Sequence, residues 1–82
     1  MAGPHPILRV YARNVEIAMC RRNLTPSALV RELGVSPHAV TNLRLHRGRW
    51  IDPELLAELL ELFGCTPNDL LLPQPGVDYT TH

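Results

Sequence analysis

The sequence predicts an all-α domain of five short helices, on three observations. Apolar residues recur at intervals of three and four, the spacing of one helix face, and no alternating strand pattern or hairpin signal is visible. A capping residue followed by proline occurs four times, at Thr25-Pro26, Ser36-Pro37, Asp52-Pro53 and Thr66-Pro67. That pair starts a helix, because the cap oxygen accepts a free backbone N–H and proline has no N–H to waste at the first helical position. Gly34 and Gly64 follow directly on apolar runs, where a left-handed residue ends a helix.

The elements follow in order. Met1 to Pro6 is an arm with two prolines. Ile7 to about Arg22 reads as the first helix, with Leu8, Tyr11, Ala12, Val15, Ala18 and Met19 on one face. Pro6 leaves Ile7 to Tyr11 open to an extended reading. The second helix starts at Thr25-Pro26 and buries Leu29, Val30 and Leu33. The third runs from Ser36-Pro37 to Arg44 or Leu45 with Ala39, Val40 and Leu43 inward. The fourth, from Asp52-Pro53 to Gly64, buries Leu55, Leu56, Leu59, Leu60 and Phe63 and turns Glu54, Glu58 and Glu61 to water. A short fifth opens at Thr66-Pro67 and continues through Leu71. Pro73, Pro75 and Gly76 then stop regular structure. The expected organisation is an arm at 1–6, a helical domain at 7–72 and a loose tail at 73–82.

Length and composition narrow the class. Eighty-two residues make one small domain with a modest core, and 45% hydrophobic with 20% charged residues is ordinary for a globular chain. No apolar run approaches the ~20 residues of a membrane span. Met1 to Pro6 has neither a basic start nor an apolar signal segment. A cytoplasmic protein is expected, with Cys20 and Cys65 as free thiols. Net charge is zero, yet it is divided unevenly. Eight arginines against Glu16 and Glu32 give +6 over residues 1–50, and six acids with no Lys or Arg give −6 over residues 51–82. Such a split suits one face for an anion and another turned away from it. A dispersed arginine set serving solubility is the competing explanation.

The stretch from Leu29 to Leu43 is the most specific. Only Gly34 and Val35 separate the end of one helix from the cap of the next. So short a connection forces a steep crossing, the geometry of a helix-turn-helix, whose second helix lies in the major groove of DNA. Pro37, His38, Thr41, Asn42 and Arg44 fall on the outward side of that helix, with Ser36 beside its start. Asn pairs bidentately with adenine; Ser, Thr and His donate or accept singly. A plain solvated face is the alternative, and the turn pattern weighs against it. Arg44, Arg47 and Arg49 follow at once and suit phosphate contact. Backbone N–H groups at the starts of the second and third helices add further anion donors. Arg21 and Arg22 equally suit the last carbonyls of the first helix. Trp50 either plugs the core beside Ile51 or stands part-exposed at a subunit contact, and average burial of Trp favours the core.

Reactive chemistry has little to work with. His5, His38, His46, His82 and the two cysteines show no metal-ligand spacing, and there is no glycine-rich phosphate loop. Glu54, Glu58 and Glu61 fit a solvated face better than an acid–base pair. No enzyme activity and no cofactor are expected.

From Asn14 to Leu71 the chain resembles the Cro and phage-repressor family of helix-turn-helix proteins, the XRE family. The resemblance rests on Leu24-Thr25, Leu29, Leu33-Gly34-Val35-Ser36, Val40, Leu43, Gly48, Ile51-Asp52, Leu56, Leu59 and the run Phe63-Gly64-Cys65-Thr66-Pro67-Asn68-Asp69-Leu70-Leu71. It implies a compact five-helix domain of the phage-repressor type, binding to double-stranded DNA, and a homodimer on a two-fold operator. It places Pro37, His38, Thr41 and Asn42 where base-reading residues sit; Ser36, beside the helix start, is expected to join them, and Thr25 is expected at a phosphate. Three positions depart from the pattern. Pro26 stands where the family often has a phosphate-bonding Gln, Val30 where it has a small Ala, and Pro37 where a polar base contact is common. The expected function is that of a small transcriptional repressor. The alternative is a helix-turn-helix turned to binding a protein, as an antitoxin or antirepressor partner would.

Overall fold

All five helices form, four of them at the caps that the sequence marks. The computed structural model describes residues 6–44 and 51–79. The helices are α1 (Pro6–Arg21), α2 (Pro26–Leu33), α3 (Pro37–Arg44), α4 (Pro53–Phe63) and α5 (Pro67–Leu71), with no strand among the described residues. α1 is helical from Pro6 onward, so the extended alternative for Ile7 to Tyr11 does not apply.

Local chemistry accounts for most of these boundaries. Thr25 Oγ1 accepts from the Ala28 N–H at 3.1 Å, Ser36 Oγ from Ala39 at 3.2 Å and Asp52 Oδ1 from Glu54 at 3.0 Å. At α5 the Asp69 carboxylate reaches back to the Thr66 N–H at 2.9 Å. Gly34 and Gly64 both adopt φ 67, and their N–H groups close on Val30 O and Leu60 O. α1 ends on a non-glycine residue instead. Asn23 takes φ 55 while the Leu24 N–H returns to Met19 O at 2.9 Å, and Asn tolerates the left-handed region better than most residues.

The core draws on every helix: Tyr11, Val15, Ala18 and Met19 of α1, Leu29 of α2, Val40 of α3, Leu59 and Phe63 of α4, and Leu70 of α5. α1 packs on α3 and α5, and α2 packs on α3 and α4. α3 is therefore clamped from behind by α1 and α2, leaving its remaining side to solvent. Val40, 3% exposed, is the one α3 residue fully sunk in the core.

Two long-range polar anchors are absent from the sequence-based picture. Asn14, 1% exposed, donates through Nδ2 to Leu70 O at 3.0 Å and Leu72 O at 2.9 Å. Its Oδ1 accepts from the Tyr79 hydroxyl at 2.6 Å, and that hydroxyl accepts from the Gln74 N–H at 2.9 Å. The buried amide is satisfied on both ends, as a buried polar group must be. Within the segment expected as a tail, these contacts link the chain to α1 as far as Tyr79. The second anchor is Arg22, which donates to Ala18 O at 3.0 Å and to Phe63 O at 2.7 Å. Its guanidinium also lies 5.0 Å from the centre of the Phe63 ring. Of the two arginines expected to serve the end of α1, Arg22 does so and joins α4 in the same contact.

Asn14 and Tyr11 should respond in opposite ways to truncation. Asn14→Ala strands two carbonyls and opens a void, and should destabilise by about 2–4 kcal/mol. Among the described residues the buried Tyr11 hydroxyl has no hydrogen-bond partner, and burial, then the Asp52 carboxylate, hold it protonated. Tyr11→Phe removes an unsatisfied donor and should stabilise by about 1 kcal/mol. Urea midpoints of the two variants would check this; a loss of stability in Tyr11→Phe would show that the hydroxyl has a partner.

Candidate nucleic-acid interface

Val40 seated in the core fixes which way the rest of α3 points. The helical period turns the opposite side outward, so Ser36, Pro37, His38, Thr41 and Arg44 are exposed. Asn42 is half-buried, as are Ala39 and Leu43 beside it. The expected base-reading set of Ser36, Pro37, His38, Thr41 and Asn42 thus gathers on and beside one outward strip near the start of α3. Ser36 also caps that helix, and as an acceptor there it keeps its hydroxyl proton free to donate.

The starts of α2 and α3 share a design. Each has a hydroxyl cap and proline at its first position. The cap side chains engage Ala28 and Ala39, which leaves the Ser27 and His38 N–H groups as first-turn donors for an outside acceptor. Each helix also brings the positive end of its dipole, a setting suited to phosphate oxygen. Thr25 stands exposed at the first of these starts.

Arginines are distributed unequally between structure and surface. Arg22 is consumed by backbone carbonyls, and Arg13 pairs with Glu16 at 2.6 Å. Arg21, Arg31 and Arg44 are exposed and Arg9 is half-exposed. Arg44 ends α3 on the same element as the outward strip. Arg47 and Arg49, expected at phosphates, lie outside the described residues, as does Trp50.

Two surface grooves flank α2. One, of about 200 Å³, is walled by Pro26, Ser27, Val30, Pro37, Val40 and Thr41 and joins the starts of α2 and α3. The other, of about 320 Å³, is lined by Glu32, Leu33, Glu58, Glu61 and Leu62 between α2 and α4. Val30 and Glu32 sit two apart on a helix and so face nearly opposite ways. The two grooves therefore take different parts of the α2 surface. The first groove is missing from the sequence-based reading, although three of its residues, Pro26, Val30 and Pro37, are the ones that depart from the family pattern.

A third hollow, of about 340 Å³, lies between the end of α1 and α5 and includes Arg21, Arg22, Cys65 and Asp69. Burial, then Asp69, raises the pKa of the Cys65 thiol, with Arg22 acting the other way. The thiol is therefore held protonated and is a weak nucleophile. Among the described residues no group of three or more His, Cys, Asp or Glu is placed to hold a metal ion, and no helix is long and apolar enough to cross a membrane.

No curated protein and no solved structure matches the chain. A family model does: that of the Cro/C1-type helix-turn-helix DNA-binding domain, over residues 14–76. This span takes in all of α2 to α5, the Asn14 anchor and the capped starts of α2 and α3. The chain therefore belongs to the Cro/C1-type helix-turn-helix family of DNA-binding domains.

Proposed function

We propose that the protein is a transcriptional repressor that binds a two-fold operator as a homodimer and occludes the promoter. The observation that carries this reading is the outward strip of α3, with Val40 anchoring the helix and Pro37, His38, Thr41 and Asn42 on and beside the side turned from the core. In this reading α3 enters the major groove, Asn42 and His38 meet base edges, and Ser36 and Thr41 add single hydrogen bonds. Thr25, Arg44, Arg47 and Arg49 hold phosphates and set the register. Two α3 helices lie about one DNA turn apart in the dimer.

The contact between subunits draws on the exposed end of α5. Leu72 is 54% exposed, whereas Leu70, at 1%, belongs to the core and has no surface to offer. Leu71 is half-buried and Ile7 is 40% exposed. Among the described residues Ile7 and Leu72 are the exposed large apolar side chains and would be covered in a dimer.

A protein-binding module is the second reading, and the groove of Glu32, Leu33, Glu58, Glu61 and Leu62 favours it. Its acids and leucines suit a basic amphipathic segment better than a nucleic acid. The two readings separate on salt. Binding to a duplex through several arginines should weaken about a hundredfold or more between about 50 and 200 mM salt. An apolar protein contact should barely respond.

The test is a mobility-shift titration on duplexes selected from a random pool, repeated across salt. Asn42→Ala should cost ~1–3 kcal/mol on the selected duplex if its contact is bidentate, and should relax preference at one base pair of each half-site. Unchanged affinity and preference in Asn42→Ala would remove that residue from the reading set. No salt-dependent duplex binding by the wild type would reject the repressor reading in favour of the protein-binding one.

A further inference from the structure

We infer that the groove between the starts of α2 and α3 is a reading site for the 5-methyl group of a pyrimidine, thymine or 5-methylcytosine, presented in the major groove. This rests on the major-groove reading above and deepens it. Pro26, Val30, Pro37 and Val40 give the groove only C–H side-chain surface, and Ser27 and Thr41 supply the hydroxyls among its walls. Neither proline has an N–H, so these four residues offer a base edge no side-chain or proline N–H hydrogen bond. Of the groups exposed in the major groove, the pyrimidine 5-methyl is the one apolar group that projects far enough to fill a hollow; cytosine presents only a C–H there. A carbon-lined hollow there distinguishes bases by that group.

The position of the groove selects its occupant. Thr41 belongs both to the groove and to the outward strip of α3, so the two are continuous. The helix starts on either side leave the Ser27 and His38 N–H groups for anionic oxygen. A nucleotide supplies both a methyl group and a phosphate within one residue of a strand. An apolar protein side chain would fill the groove and leave those donors unused. Pro37, by this account, is a specificity residue that acts through shape, and Pro26 and Val30 form the wall it faces.

Single thymines in the selected duplex can be replaced by deoxyuridine, which removes one methyl group and keeps every hydrogen bond. At one position in each half-site the wild type should lose about fourfold in affinity, the value of burying one methyl. Replacing that T·A pair by C·G should cost more, and 5-methylcytosine there should recover part of the loss. Pro37→Ser is an exposed change that keeps the capped start of α3; it should bind thymine and uracil duplexes equally, with helicity by circular dichroism matching the wild type. Val30→Ala should lower the thymine preference in the same direction. If the wild type shows sequence preference but no single uracil costs affinity, the groove does not read a methyl while the major-groove reading stands. The same follows if Pro37→Ser keeps the full uracil penalty. If no duplex sequence is preferred at all, both fail together.

Discussion

Gly34 holds φ 67, ends α2 within a single residue and lets Ser36 cap α3 two residues later. Residues that carry a side chain adopt that backbone only at a cost. The space around Gly34 is open, and a methyl group placed on its Cα would meet no heavy atom within 4 Å. Glycine is therefore required there by its backbone and not by crowding. The short connection sets the crossing of α2 and α3. Leu29 and Val40 then lock that crossing by meeting in the same core. Once Val40 is inward, the direction of every other α3 side chain is decided by helix periodicity. The outward strip, the paired helix starts and the groove between them all descend from this one turn.

Electrostatics acquires a different meaning once the fold is known. The sequence shows +6 and −6 halves, but Arg22 and Arg13 are occupied within the domain. Glu32, from the basic half, joins Glu58 and Glu61 in the groove between α2 and α4. Folding thus sharpens the division by committing two arginines to structure and collecting a stray acid with its own kind. Arg44 and the two open helix starts lie on the α3 side, a setting suited to an anion, while Glu32, Glu58 and Glu61 make the groove of α2 and α4 unfavourable to one.

Helix boundaries are legible in the sequence because their causes are local. A cap such as Thr25 and its Ala28 partner lie three residues apart, as do Ser36 and Ala39. The same holds for the inward faces of α1 to α4, which periodicity alone assigns. Asn14 is not legible as a core residue, because its partners Leu70, Leu72 and Tyr79 are more than fifty residues away. The helical period puts Asn14 beside Tyr11 and Ala18, but a polar residue stays inside only because three distant groups satisfy it. The order of the tail escapes notice for the same reason, since it depends on that contact. At the site, the outward strip comes from one helix's period and is readable. The groove needs two helices brought together, and only the odd residues at positions 26, 30 and 37 hint at it.

If the paired helix starts and the outward strip of α3 face DNA while α4 faces away, a duplex should perturb one side of the domain. Amide chemical-shift mapping during titration with a selected duplex tests this most directly. Large shifts are expected at Ser27, Ala28 and His38 through Arg44, and small ones at Glu54, Glu58 and Glu61. Shifts concentrated on the acidic groove of α2 and α4, with α3 unmoved, would contradict this orientation.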